Sequence, residues 1–214
     1  MTGPLTGLYV ITDGRHQSIE ELTRKVAAAL RGGARLVQYR DKQADVQRRL
    51  AEAAALQALC AAQGVPLLIN DDVELAVAVG AAGVHLGRDD QATAKARSQL
   101  PPESLIGRSC YNRFELARTA ADEQVDYIAF GSFFASPTKP EAVTAPLDLL
   151  RRARRELTVP VVAIGGITPE NGGALVNAGA SMLAVVSAVF AAHNPTAAAR
   201  AFAPCFNSVE DYPS

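Results

Sequence analysis

The sequence predicts a single (β/α)8 barrel (TIM barrel), a closed ring of eight parallel strands each followed by a helix. Eight short β-rich apolar runs alternate with Ala-, Leu- and charge-rich stretches along the 214 residues. Alternating βα units indicate a parallel sheet covered by helices, and eight such units indicate closure into a barrel. The length suits one domain over residues 1–214. An open doubly wound sheet is the weaker alternative, because no GxGxxG motif follows the first strand.

The composition is that of an ordinary globular protein. Hydrophobic residues make up 49% of the chain, charged residues 20%, and the net charge is −1, so no global field attracts nucleic acid or an anionic membrane. The N-terminal stretch resembles no signal peptide, and no apolar run approaches the roughly 20 residues that span a bilayer. The 3 scattered cysteines form no metal-like spacing. We therefore expect a cytoplasmic protein with no nucleic-acid or membrane partner. Whether it forms a homo-oligomer is left open.

Each predicted strand is a short apolar run. In chain order the runs are LYVI (8–11), ARLVQYR (34–40), PLLIN (66–70), GVHLG (83–87), LIGRS (105–109), YIAFGS (127–132), PVVAIGG (160–166) and MLAVVSAV (182–189). Helix signals lie between them: Ser18 precedes an apolar repeat that ends in glycines, and Thr168 is an expected N-cap with Pro169 at the first helical position. The polar, proline-punctuated stretch 204–214 is expected to be a loosely held tail.

The second strand ends in LVQYRDK (36–42), where three polar side chains share one parity. Gln38, Arg40 and Lys42 therefore project to the same face of an extended segment. A half-exposed antiparallel strand could accommodate this pattern, but a strand of a parallel barrel has no wet face. The three side chains are then expected inside the barrel or at its C-terminal mouth, where active sites of this fold lie.

The ends of the other strands are also polar. They carry Asn70, Asp71 and Asp72; His85, Arg88, Asp89 and Asp90; Ser109; Ser132, Ser136, Thr138 and Lys139; Gly165 and Gly166; and Ser187. Arg40, Lys42 and Lys139 could surround a phosphate or diphosphate. Asp71 and Asp90 would repel each other unless a cation lay between them, and Mg²⁺ suits such a site because it takes few protein carboxylates and completes its octahedron with phosphate oxygens.

The glycines after the seventh strand and the small residue on the eighth match the phosphate site that this fold commonly builds from its last two loops. Each residue also has a simpler interpretation. Asp71 or Asp72 could cap the following helix, with Glu74 completing a capping box from Asp71. His85 is more often a hydrogen-bonded core histidine than a base, and Lys139 could be an exposed loop charge. Their joint position at successive strand ends favours a site.

These segments resemble thiamine-phosphate synthase, also called thiamine-phosphate pyrophosphorylase, over nearly the whole chain. The matching motifs are LYVITD, GGARLVQYRDK, VPLLINDDVELA, GVHLGRDD, DYIAFGSFFASPTKP, VPVVAIGGITPEN and AGASMLAVVSAVF. The resemblance implies a (β/α)8 barrel that joins a pyrimidine diphosphate to a thiazole phosphate, releasing pyrophosphate and forming thiamine phosphate with Mg²⁺ as cofactor. Both partners would then be small molecules.

The resemblance also implies roles for individual residues. The segment Gln38, Tyr39, Arg40, Asp41 and Lys42, together with Asn70, would bind the pyrimidine diphosphate. Asp71 and Asp90 would hold Mg²⁺, and Ser109 would contact the diphosphate. Ser136 and Thr138 would contact the thiazole phosphate and Lys139 the diphosphate, while Gly166, Val186 and Ser187 would hold the thiazole phosphate. Arg40, Lys42, Ser109 and Lys139 would act on the chemical step.

The sequence departs from the family pattern in two places. A Thr-x-Thr-Lys run is common where this chain has Ser136-Pro137-Thr138-Lys139, and Ser keeps the hydroxyl. A small-residue and histidine run often follows the serine that is Ser109 here, whereas this chain has 110–112 as CYN. Other hypotheses remain: a thiazole tautomerase, expected to carry a histidine base near Ser132; a phosphosugar isomerase or aldolase; and a non-catalytic sensor of thiamine precursors.

Overall fold

The structure is a computed structural model that describes residues 5–87, 90–135 and 144–207. Eight parallel strands close into a barrel in the order β1 to β8, with β1 paired to β8. The strands are β1 (Gly7–Ile11), β2 (Ala34–Tyr39), β3 (Leu67–Asn70), β4 (Gly83–Leu86), β5 (Leu105–Tyr111), β6 (Tyr127–Phe130), β7 (Val161–Ile164) and β8 (Met182–Val185). The predicted (β/α)8 barrel is confirmed.

Helices follow the strands on the outside of the barrel. They are α1 (Ile19–Arg31), α2 (Val46–Ala62), α3 (Val73–Val79), α4 (Thr93–Gln99), α5 (Phe114–Asp122), α6 (Leu147–Glu156), α7 (Pro169–Asn177), α8 (Ser187–Phe190) and α9 (Pro195–Arg200), and a 3₁₀ helix spans Ala203–Phe206. The predicted starts of two helices are confirmed. Ser18 accepts a hydrogen bond from the Glu21 backbone N–H, and Thr168 is the N-cap of α7 with Pro169 as its first residue.

The alternation of side chains along each strand divides the apolar residues into two cores. On β2, Leu36 faces the barrel interior, together with Tyr9, Leu68 and Val162 from other strands. Val37 and its outward-facing counterparts pack against the helices in a larger core. No strand therefore has a wet face, and polar side chains of inward parity are confined to the barrel interior and its mouth.

All eight predicted runs differ from the observed strands at an end, and β6 and β7 each end two residues before the predicted runs. The run 182–189 is not one strand, because β8 ends at Val185 and Ser187 begins α8. A continuous apolar run carries no period that separates a strand from a buried helix, so the sequence could not mark this change. Strand β5 continues to Tyr111, two residues beyond the prediction. The predicted tail begins at Pro204, but Cys205 is buried in the 3₁₀ helix, which packs against α7.

Candidate active site

A cavity of about 250 Å³ opens at the C-terminal mouth of the barrel. Its lining is mostly polar and comes from six of the strands and the loops that follow them. The lining residues are Ile11, Gln38, Arg40, Lys42, Asn70, Asp71, His85, Gly87, Asp90, Ser109, Tyr111 and Ile164. The structure thus brings seven of the sequence-predicted site residues to one cavity: Gln38, Arg40, Lys42, Asn70, Asp71, Asp90 and Ser109.

The backbone that carries the cations of β2 is tied to β1. The Thr12 hydroxyl accepts a hydrogen bond from the Arg40 N–H at 2.8 Å and donates to the Arg40 carbonyl at 3.1 Å. The Thr12 N–H donates to the Gln38 carbonyl at 3.0 Å. These contacts extend the β1–β2 pairing beyond Ile11, the last residue of β1, and hold Arg40 at the cavity rim.

The other two residues of the predicted binding segment point elsewhere. Tyr39 has the opposite parity, is buried against the helices, and donates a hydrogen bond from its hydroxyl to Glu52 Oε2 at 2.7 Å. The Asp41 carboxylate accepts hydrogen bonds from the backbone N–H groups of Gln43 and Ala44, which shapes the β2–α2 turn. Neither side chain lines the cavity, and both are held by hydrogen bonds within the protein.

The aspartates that follow β3 have different surroundings. Asp72 is the N-cap of α3, where its side chain accepts a hydrogen bond from the Leu75 N–H at 2.9 Å. Asp71 does not cap this helix: its φ is 65°, and its carboxylate lies 3.4 Å from Lys42 Nζ in the cavity. Capping therefore belongs to Asp72, and ligand binding remains a prediction for Asp71.

Asp71 and Asp90 bring two carboxylates together. Burial raises the pKa of Asp71, the neighbouring Asp90 carboxylate raises it further, and Lys42 opposes both effects. Asp90 also accepts a hydrogen bond from the Gly87 N–H, which fixes one of its oxygens. The negative charges of the two adjacent carboxylates repel each other, and a divalent cation between them would relieve this repulsion. Carboxylate oxygens are ligands that fit Mg²⁺.

A chain of hydrogen bonds, the floor chain, runs beneath the cavity through two buried tyrosines. The Tyr9 hydroxyl donates to Gln38 Oε1 at 2.7 Å, and Gln38 Nε2 donates to Asn70 Oδ1 at 2.7 Å. On its other side the Tyr9 hydroxyl lies 3.0 Å from that of Tyr127. Tyr9 and Tyr127 are fully buried, which raises the pKa of both hydroxyls and keeps them protonated.

The chain continues from Tyr127 to the opposite wall. The Tyr127 hydroxyl lies 2.8 Å from His85 Nδ1, and His85 Nε2 lies 2.8 Å from Ser109 Oγ. Burial lowers the pKa of His85 to about 4, so the ring is neutral at neutral pH. The simpler interpretation of His85 as a hydrogen-bonded core histidine is confirmed, although one edge of its ring also meets the cavity.

The remaining predicted residues lie at the β6, β7 and β8 ends. Gly166 (φ 62°) follows β7, and a Cβ added there would lie 2.5 Å from the Ala135 carbonyl oxygen. Val186 precedes α8 and Ser187 is its first residue. These three do not line the described cavity. Ser136, Thr138 and Lys139, and likewise Arg88 and Asp89, lie outside the described residues.

Sequence reasoning missed several residues of the site. Tyr111 and Ile11 line the cavity, and the buried Tyr9 and Tyr127 lie beneath it, bonded to Gln38 and His85 of its lining. A tyrosine within an apolar strand is usually a core residue, so its type carries no signal of function. Parity was the available signal, because Ile11 and Tyr9 share a face that leads to the barrel mouth.

A second polar cluster lies behind β2, outside the cavity. Arg48 Nε donates to Glu52 Oε1 at 2.6 Å, and His16 Nε2 lies 2.8 Å from the same oxygen, but off the line of a hydrogen bond. With Asp41, His16 and Glu52 form a group of metal-ligand type. Each Glu52 oxygen already accepts a hydrogen bond, from Arg48 or from Tyr39, and the positive charge of Arg48 disfavours a metal ion beside it.

Comparisons with known proteins show the family to which the chain belongs. A family model described as thiamine monophosphate synthase matches residues 8–189. The chain belongs to the thiamine monophosphate synthase family. The resemblance stated from the motifs is confirmed, and the protein is a transferase of thiamine biosynthesis.

Individual relatives match over nearly their full lengths. The thiamine-phosphate synthase of Thioalkalivibrio sulfidiphilus is 52% identical over 202 residues, which cover 94% of this chain and 96% of that protein. The one from Nitrosococcus oceani is 49% identical, covering 97% and 96%. The solved thiamine phosphate pyrophosphorylase from Pyrococcus furiosus has a TM-score of 0.85 and 32% identity, with 97% and 98% of the two chains covered. Within the described part of this family member, no helix could span a membrane.

Proposed function

We propose that this chain is a Mg²⁺-dependent thiamine-phosphate synthase that transfers a 4-amino-2-methylpyrimidin-5-ylmethyl group from its diphosphate to a thiazole phosphate. The observation that carries the proposal is the meeting of two carboxylates, Asp71 and Asp90, with the cations Arg40 and Lys42 in one cavity. A diphosphate leaving group needs positive charge at its oxygens, and this rim can supply it.

The bond changes follow from the substrates. The C–O bond between the methylene carbon and the diphosphate breaks with both electrons leaving on oxygen, and the thiazole nitrogen lone pair forms the new C–N bond. Arg40 and Lys42 bind the oxygens on which negative charge grows, so they stabilise the departing diphosphate. Mg²⁺, held by Asp71 and Asp90, would supply further positive charge to these oxygens. No proton transfer is required of a general base.

The polar floor serves to orient the pyrimidine. Gln38 and Asn70 present amide groups beside the cations, and a ring bound there would have its methylene carbon turned toward the rim. The predicted phosphate site at Gly166, Val186 and Ser187 would hold the second substrate on the opposite side of the mouth. Separate anchors for two substrates would reduce the entropic cost of bringing the reacting atoms together. The contacts predicted for Ser136 and Thr138 with the thiazole phosphate, and for Ser109 and Lys139 with the diphosphate, are part of the proposal.

The thiazole tautomerase hypothesis has less support. It expects a histidine base near the end of β6, where Ser132 instead donates its hydroxyl hydrogen bond to the Phe134 carbonyl at 2.9 Å. A non-catalytic sensor would bind the precursors without releasing pyrophosphate. Cytoplasmic localisation also remains a prediction, in keeping with the three free cysteines of the described chain.

Pyrophosphate release from the purified protein given both substrates tests the proposal. We expect release that depends on Mg²⁺, is abolished by a chelator and returns when Mg²⁺ is restored. Asp71→Asn should lower the rate by about 100-fold. The matched control is Asp72→Asn, which should retain activity because an asparagine side chain can still cap α3. Saturable binding of thiazole phosphate without any pyrophosphate release would overturn the synthase and favour the sensor or the tautomerase.

A further inference from the structure

The donor and the acceptor of each hydrogen bond in the floor chain can be assigned in turn, starting from Gln38. Gln38 Nε2 donates to Asn70, so Gln38 Oε1 is left to accept, and the Tyr9 hydroxyl donates to it. The oxygen of Tyr9 must then accept from Tyr127, which lies 3.0 Å away. Each hydroxyl has one proton to give, so the direction passes from one residue to the next.

The same reasoning assigns the tautomer of His85. The Tyr127 proton is directed to Tyr9, so its oxygen accepts from His85 Nδ1, 2.8 Å away. A neutral imidazole with its proton on Nδ1 accepts at Nε2, and the only described donor at that nitrogen is the Ser109 hydroxyl, 2.8 Å away. In this arrangement the Ser109 proton points at His85 and is not offered to the cavity.

This arrangement conflicts with the role proposed for Ser109. The oxygens of an ionised diphosphate only accept hydrogen bonds, so a serine that contacts one must donate its proton to it. If Ser109 turns its proton to the diphosphate, His85 Nε2 loses its donor and lies buried 2.8 Å from an oxygen with which it can bond only by donating. A buried polar atom without a partner is unfavourable, so the change favours moving the histidine proton to Nε2.

We propose that diphosphate binding reverses the hydrogen-bond chain and converts His85 from the Nδ1–H to the Nε2–H tautomer. In the reversed state His85 donates to Ser109, Tyr127 donates to His85 Nδ1, and Tyr9 donates to Tyr127. No net proton is taken up, because the imidazole releases one proton from Nδ1 and gains one at Nε2 by exchange with water. Tyr9, Tyr127 and His85 are then positioning residues, and this inference rests on the proposed contact between Ser109 and the diphosphate.

The reversal reaches the pyrimidine side of the cavity through Gln38. When Tyr9 no longer donates to it, the Gln38 amide must turn so that Nε2 donates to Tyr9 and Oε1 faces Asn70. Asn70 then donates from its own amide nitrogen to Gln38 and presents Oδ1 to the cavity. An acceptor at Asn70 suits the exocyclic amino group of an aminopyrimidine, so occupation of the diphosphate end would improve recognition at the ring end.

The test is the tautomer of His85, measured by ¹⁵N NMR of the histidine rings at neutral pH. The protein has 3 histidines, and the His85 signals are identified by their loss in His85→Gln. In the free protein we expect the protonated-nitrogen shift at Nδ1 and the unprotonated shift at Nε2. Addition of inorganic pyrophosphate with Mg²⁺ should exchange the two. An Nε2–H ring or an imidazolium in the free protein, or a spectrum unchanged by saturating pyrophosphate, would overturn the inference.

Variants separate this inference from the proposed function. Tyr127→Phe removes the hydroxyl in the middle of the chain and should abolish the exchange while pyrophosphate still binds. It should also raise KM for the pyrimidine diphosphate by about tenfold. The matched control, Tyr39→Phe, removes a hydroxyl that bonds Glu52 outside the cavity and should leave the exchange intact. Catalysis with no tautomer exchange would refute the inference alone, and exchange without pyrophosphate release from the substrates would refute the synthase alone.

Discussion

Asp71 and Asp72 are consecutive in the chain, yet the first carboxylate lies in the cavity beside Lys42 and the second caps a helix and pairs with Arg49. The left-handed backbone at Asp71 (φ 65°) produces this divergence, because it turns the chain sharply between β3 and α3. One residue is thus available to a ligand, while the other stabilises the fold.

This division predicts unequal effects of the two substitutions on stability. Asp72→Ala should lower the free energy of unfolding by about 1–2 kcal/mol, since it removes the cap of α3 and the 2.7 Å contact with Arg49. Asp71→Asn should change it by less than about 0.5 kcal/mol, because asparagine tolerates positive φ and the substitution removes repulsion from Asp90. Urea unfolding of both variants measures the difference. A larger loss in Asp71→Asn would contradict it.

Gly107 is expected to tolerate no side chain. It pairs with Tyr127 across β5 and β6, and a Cβ at Gly107 would lie 2.0 Å from Tyr127 Cζ. Gly107→Ala should cost about 2–3 kcal/mol of stability and displace the Tyr127 hydroxyl from the floor chain. Gly173→Ala is the control, since a Cβ there meets nothing within 4 Å and α7 should gain helix propensity. Thermal melts of the pair suffice, and equal Tm values would refute the steric argument.

Glu52 is expected to contribute stability that depends on pH. Burial raises the pKa of this carboxyl, but Arg48, Tyr39 and His16 together lower it below the usual 4.5. The ionised form therefore stabilises the fold above pH 4.5, and this contribution is lost as the pH falls through the lowered pKa. Glu52→Gln should cost about 3 kcal/mol at neutral pH, and the deficit should shrink in acid. Chemical denaturation across pH tests this, and a pH-independent deficit would contradict it.

Replacement of Ser187 is expected to raise KM for the thiazole phosphate and to leave KM for the pyrimidine diphosphate nearly unchanged. If it holds the thiazole phosphate, Ser187→Ala removes a hydrogen bond to a charged oxygen and should raise KM for that substrate by about tenfold or more. KM for the pyrimidine diphosphate should change less than about twofold. Steady-state kinetics with each substrate varied in turn provide the measurement. An equal rise in both values would indicate a general disturbance of β8 and α8 in place of a phosphate contact.

The sequence predicted those features of the site that follow from periodicity. The parity of Gln38, Arg40 and Lys42, combined with a barrel that has no wet strand face, predicted all three inside the barrel or at its mouth, and all three line the cavity. It could not divide the roles of Asp71 and Asp72, because that division depends on one backbone dihedral angle. Nor could it assign the floor tyrosines, since Tyr9 and Tyr127 meet only when strands 118 residues apart in sequence close into one ring.

The two hydrogen bonds between Thr12 and Arg40 have a kinetic consequence. They immobilise the backbone at the end of β2 before any ligand arrives, whereas the Lys42 side chain beyond it remains 61% exposed. Capture of an anion on this side of the mouth then requires only rotations about side-chain bonds, which take picoseconds to nanoseconds. On the proposed function, a diphosphate would therefore reach Arg40 and Lys42 without a movement of the β2 backbone.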